Sequence, residues 1–196
     1  GALTDPTPTD YTDYWRERWE AFGTILGIDI NVERCDRSAG EVQELHGQDR
    51  TLVVRPEQFT LPHVEQLHPP TTIWTQTGSG EITSEPRFGW LDIENSTEAP
   101  NLNTAVEDLL RIAEESGRYG MTLMTYFIGS LNNFDITGAY FDGRTRTTSR
   151  LLGSKANDGG QEVRASLGRR NDFMVSSQTH PRRSSSHWGG RFEGVK

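Results

Sequence analysis

Tyr11, Trp15, Trp19, Phe22 and Leu26 recur at spacings of four, four, three and four, the period of a helix with one apolar stripe. A first helix is therefore expected, capped by Thr12 or Asp13 and stopped by Gly27. The period then changes: in "GIDINVE", Ile28, Ile30 and Val32 alternate with Asp29, Asn31 and Glu33, which predicts a half-buried strand. Ser38 and Glu41 have the spacing of a capping box ahead of "VQELHG", so a short helix closed by Gly47 should follow. "RTLVVRP" reads as a strand stopped by Pro56. Four prolines between 56 and 70 leave "LPHVEQLHPP" room for a turn or two of helix.

Farther on, "TTIWTQTGSGEITSEPRFGWLDIE" predicts strands joined by a turn at Gly78-Ser79-Gly80. Val106, Leu109, Leu110 and Ala113 make a helical face, with Thr104 and Glu107 as a capping box and Gly117 as the stop. "GMTLMTYFIGSLNN" fits two periods. Met121, Met124, Ile128 and Leu131 suit a helix, whereas its β-branched and aromatic content suits a strand; a buried helix is the preferred reading. From residue 140 the text becomes strands and tight turns, with "RTRTTSRLL", "QEVRASL" and "DFMVSS" placed around Asp142-Gly143, Asn157-Asp158-Gly159-Gly160 and "GRRN". The closing "QTHPRRSSSHWGGRFEGVK" is Ser-, Gly- and Arg-rich and reads as draped or mobile.

These elements describe an α+β protein: a mainly antiparallel sheet, two or three packed helices and a C-terminal β-hairpin region. Residues 1–10 are read as a flexible leader, 11–178 as a single domain and 179–196 as a tail. A chain of 196 residues can bury roughly 70% of its unfolded surface. With 33% hydrophobic residues and a mean hydropathy of −0.68, its apolar side chains must be concentrated in a few elements. Cys35 is the only cysteine, which excludes an internal disulfide and a CxxC metal or redox site. No apolar run reaches the roughly 20 residues of a membrane span, and "GALTDPTPTD" lacks the parts of a signal peptide. A cytoplasmic protein is expected, with an already removed export signal as the alternative.

Charge changes this picture more than composition does. Residues 1–117 carry 22 acidic and 8 basic side chains, and residues 118–196 carry 6 and 12, within a net charge of −8. Such asymmetry between halves points to an interaction surface. If 144 to 151 is a strand, Arg144, Arg146 and Arg150 share one side of it. On the next hairpin Val163, Ala165 and Leu167 should face the core, Arg164 the solvent, and Arg169 and Arg170 the tip. An arginine-rich sheet face has three candidate partners: phosphates, the chain's own acidic half or that of a neighbouring copy, and plain solvent. Nucleic acid ranks below protein, because the acidic whole repels polyanions and no nucleic-acid-binding motif is present.

The chemistry on offer is thin. Asp92 and Glu94 in "GWLDIEN" would share a strand face with Trp90, a carboxylate pair suited to acid–base or metal work, although an ordinary polar strand face explains the same alternation. His63 and His68 lie five apart and so on different helix faces, unlike the i, i+4 pair of a zinc site. There is no GxSxG, no phosphate loop and no GxGxxG. Arg34 and Arg37 would lower the pKa of the Cys35 thiol if their charges governed it, but a single thiol with no histidine placed beside it is more often structural or incidental. The preferred expectation is a non-enzymatic protein-interaction or assembly module with complementary acidic and Arg-rich surfaces, binding a protein partner or itself, without cofactor or metal. A hydrolase using Asp92, Glu94 and His63 is the alternative, and nucleic-acid binding by the Arg-rich half the third.

Overall fold

Thr7, rather than Thr12 or Asp13, starts the first helix, α1 (Pro8–Leu26). Its side chain accepts from the Asp10 amide while the Asp10 carboxylate accepts from the Thr7 amide at 2.8 Å, a reciprocal capping box with Pro8 in the first turn. Thr12 is buried instead, donating to the Pro8 carbonyl and accepting from the Cys35 amide. Gly27 ends the helix in the left-handed conformation, φ 68°, as expected. These coordinates are a computed structural model that describes residues 5–67, 71–74 (backbone only), 81–144, 146–156, 161–168, 172–178 and 184–196.

The segment after Gly27 is not a strand. Residues 28–36 have no regular secondary structure, and their polar backbone is satisfied by side chains: Arg16 Nε donates to the Val32 carbonyl at 3.0 Å and Trp90 Nε1 to the Glu33 carbonyl at 3.2 Å. Ser38 and Glu41 do form a capping box, at the start of α2 (Ala39–Gly47). β1 (Arg50–Arg55), the short α3 (Leu61–Leu67), β2 (Thr71–Trp74), β3 (Ile82–Ser84) and β4 (Gly89–Glu94) follow. α4 (Val106–Ser116) starts on Ala105 with no side-chain cap, so the box expected from Thr104 and Glu107 is absent; the Thr104 hydroxyl donates to the Leu102 carbonyl instead. After β5 (Tyr119–Gly120), the ambiguous segment is the buried helix α5 (Leu123–Thr137), capped by Thr122.

β6 (Thr148–Ala156), β7 (Gln161–Leu167) and β8 (Phe173–Gln178) are antiparallel neighbours. The closing segment is more ordered than its composition suggested: Trp188–Gly190 and Phe192–Gly194 are strands, β9 and β10. Two sheets result. One runs β1-β4-β10-β5, and the other β2-β8-β7-β6-β3 with β9 beside the first half of β6. Pairing is antiparallel except β2 with β8 and β6 with β9. β2 and β3 thus stand at opposite ends of one sheet instead of forming a hairpin, and the turn proposed at 78–80 lies outside the described residues.

α5 packs against both β1 and β6 and lies between the sheets, which is why every residue from Met121 to Ser130 is buried. Phe127 meets Phe173 of one sheet, while Gly129 lets Ile93 of the other approach; a Cβ there would stand 2.7 Å from Ile93 Cδ1. α1 covers the free edge of β1: Trp15 and Trp19 donate to the Leu52 and Val54 carbonyls at 2.9 and 3.0 Å. Indoles one helical turn apart reach carbonyls two strand residues apart, so the α1 stripe both fills the core and satisfies an edge strand. Among the described residues no helix is long and apolar enough to cross a membrane.

Candidate functional site

β6 begins at Thr148, which removes the row of cations expected from residue 144 onward. Arg144 and Arg146 precede it, both exposed, with Arg146 at φ 56°. Arg150 and Arg164 go inside, 0% and 2% exposed, so the expectation that Arg164 faces solvent is corrected. The two face each other across the β6–β7 ladder, a like-charge pairing that would be unfavourable alone. Glu162 offsets it, with its Oε1 3.3 Å from Arg150 Nε and 3.1 Å from Arg164 Nε. The Trp188 ring of β9 then lies 4.0 Å from the Arg164 guanidinium and 5.4 Å from that of Arg150, a desolvated cation–π stack. Arg169 and Arg170 lie outside the described residues.

The carboxylates proposed for catalysis are engaged as counter-ions. Asp92 is buried and bonded to Arg118, with Arg37 and Arg50 each 3.9 Å away. Glu94 Oε1 lies 3.8 Å from Arg118, and its other oxygen accepts from the Phe192 amide at 3.2 Å. Burial pushes the Glu94 carboxyl above its ordinary value, against the pull of Arg118. His63 takes another role on α3: Nδ1 faces the Thr60 amide at 3.0 Å and the ring stacks on Phe59. His68 and His180 lie outside the described residues, and among the described ones no three His, Cys, Asp or Glu side chains gather as a metal site. Cys35 is buried, as a structural thiol would be, and burial raises its thiol pKa rather than the arginines lowering it.

Two further buried charges come from the segment read as a tail. Arg191, between β9 and β10, donates to Ser149 Oγ at 2.8 Å and to the Ser96 and Thr97 carbonyls, lies 3.5 Å from Asp142 and covers the Phe141 ring at 3.8 Å. Asp142 also accepts from Thr147, Ser149 and Tyr126, so its carboxylate is fully occupied. Two residues on, Glu193 accepts from the Thr122 amide at 2.7 Å and the Thr125 hydroxyl at 2.9 Å. It thereby caps α5 from a distant strand, where local sequence supplies no acid. Phe192 points the other way, against Leu109 and Ala113 of α4. The signal in the sequence was short: Arg, Phe, Glu in strand alternation, hidden among glycines and serines.

With cations drawn inward, carboxylates dominate outside. Six arginines are buried among the described residues (Arg37, Arg55, Arg118, Arg150, Arg164 and Arg191). Among the described residues twenty acidic side chains are exposed against seven basic ones, so the surface they form is anionic. α4 concentrates this: Glu107, Asp108, Glu114 and Glu115 are exposed around Leu110, an apolar side chain 53% exposed. Arg111, the helix's one cation, pairs with Asp108 at 2.8 Å, and the last turn carries none. Glu114 and Glu115 therefore have no neutralising partner among the described residues at the negative end of the helix dipole, an arrangement that costs roughly 0.3–1 kcal/mol per charge. Comparison with protein-family models, with curated proteins and with solved structures finds no match, so the functional reading rests on this geometry.

Proposed function

We propose that the chain is a non-enzymatic interaction module that docks a cationic segment of a protein partner on the outer face of α4. The observation that carries the reading is the pair Glu114 and Glu115, at a helix end where carboxylates are unfavourable, beside exposed Leu110. A Lys- or Arg-bearing segment with one apolar side chain would relieve the repulsion and cover the leucine together. Glu107, Leu110 and Glu114 fall on one stripe of the helix, so an extended or helical partner can read all three.

Self-association through an arginine face loses support, since Arg150 and Arg164 are internal. Catalysis by Asp92 and Glu94 loses support as well, because Asp92 is bonded to Arg118 and Glu94 lies beside the same guanidinium while accepting from the Phe192 amide. A lysine- and leucine-containing helical peptide is the probe, titrated calorimetrically against the chain and against Glu114→Lys/Glu115→Lys. The proposal expects binding that weakens steeply with salt and falls at least tenfold in the variant. Equal binding by the variant, or none by either protein, would overturn it.

A further inference from the structure

Between the two sheets, at the start of α5, lies a cavity of about 200 Å³. Phe59, Leu61, Ile82, Phe88, Leu123 and Met124 supply its apolar wall, and Arg55, Thr60 and Ser84 its polar groups, with Glu57 also on the lining. This is the composition of a ligand site, an apolar wall with a few convergent polar groups. The volume corresponds to roughly seven waters at about 30 Å³ each, so its occupant is small.

The charge accounting around it is uneven. Arg55, 4% exposed, gives one guanidinium nitrogen to the Glu85 carbonyl at 2.7 Å, the Arg87 carbonyl at 3.0 Å and the Thr122 hydroxyl at 3.4 Å, all neutral acceptors. Its Nε is buried without a hydrogen-bond partner, and Arg55 makes no ion pair among the described residues. Arg87 does: it sits 3.1 Å from Glu193, whose oxygens are already taken by Thr122 and Thr125. Two guanidiniums thus share one carboxylate beside the positive end of α5. Glu57 and Glu85, the acids nearest in sequence, are both exposed. Burial lowers the Arg55 pKa, and Arg87 lowers it further, while Glu193 opposes both. A buried cation without its own anion is costly unless something supplies the missing charge.

We infer that this cavity is a binding site for a small amphipathic monocarboxylate, its carboxylate against Arg55 and its apolar body against Phe59, Ile82, Phe88 and Leu123. Carboxylate is favoured over a dianionic phosphate because the buried groups, Arg55 and Arg87 against Glu193, leave only one positive charge over, exposed Glu57 on the lining adds a negative one, and most of the wall is apolar. The acidic exterior further disfavours a polyanion. Phe88 lies over the Arg55 guanidinium at 4.7 Å and is itself exposed, so it borders both the cation and the solvent. The site is separate from the α4 surface, and the fate of one reading does not decide the other.

The experiment follows backbone amide resonances while phenylacetate and hexanoate are added to the full chain, with phenylacetamide and inorganic phosphate in parallel. A ligand this small is expected to bind with a dissociation constant on the order of 1 mM. Both carboxylates should move the amides of Arg55, Phe88, Leu123 and Met124 in a saturable way. The amide and the phosphate should bind at least tenfold more weakly. Ile82→Trp, which fills the cavity while keeping Arg55, Arg87 and Glu193 in the chain, should abolish the shifts while leaving the rest of the spectrum in place. Amide binding as tight as carboxylate would overturn the inference, as would phosphate binding as tight, shifts that map elsewhere, or shifts that survive Ile82→Trp.

Discussion

Glu94 illustrates what burial does to a single group in this protein. Desolvation raises its carboxyl pKa although Arg118 stands nearby. The native chain therefore keeps a proton that the unfolded chain has already released, and native proton uptake exceeds unfolded uptake between the two pKa values. The stability this group contributes is fully present below the unfolded carboxylate value and is lost as pH rises through the raised native one. Urea unfolding followed from about pH 4 to 8 should show that loss, and Glu94→Gln should flatten it. An identical slope in wild type and variant would assign the pH response to other groups. The sequence placed Glu94 and Asp92 together, as alternation requires, but residue identity carries no information about the arginines that three other segments bring to them.

Among the elements, β10 is the one on which most others depend. It is an interior strand, between β4 and β5, and its Glu193 caps the N-terminus of α5 while neutralising Arg87. Glu193→Gln keeps the shape and removes the charge, leaving the half-buried Arg87 guanidinium unbalanced beside buried Arg55; the expected loss is about 3 kcal/mol by denaturant unfolding. A loss under about 0.5 kcal/mol, the scale of an ordinary surface change, would show that the carboxylate is not held as described. The helices were legible because their signals are local: the α1 stripe, the Ser38–Glu41 box and the Gly27 and Gly117 stops all act within one or two turns. Strands depend on partners that local patterns cannot name. Ile28, Ile30 and Val32 alternate like a strand but find no ladder, because Arg16 and Trp90 side chains take the carbonyls at 32 and 33. Phe192–Gly194 is the reverse case, a three-residue strand stabilised almost wholly by distant groups. Its α4 contact through Phe192 was equally hidden.

At the scale of the molecule, the acidic and basic halves of the chain do not become two faces among the described residues. They become an outside and an inside. Guanidiniums from both halves enter the interior, where Asp92, Asp142, Glu162 and Glu193 meet them, and most other carboxylates stay at the surface. The asymmetry was readable by counting, but its direction was not, since alternation along 144–151 says which side chains share a side and nothing about what covers that side. Trp188, returning from far along the chain to stack on Arg164, supplies the cover. The anionic exterior, the α4 surface and the unbalanced Arg55 all follow from this sorting. Modification of the native protein with an arginine-selective dicarbonyl reagent, mapped peptide by peptide, tests it most directly. The account predicts that Arg34, Arg144 and Arg146 react rapidly while Arg118, Arg150, Arg164 and Arg191 are protected until the chain unfolds; reaction of Arg150, Arg164 and Arg191 at the rate of Arg144 and Arg146 would contradict it.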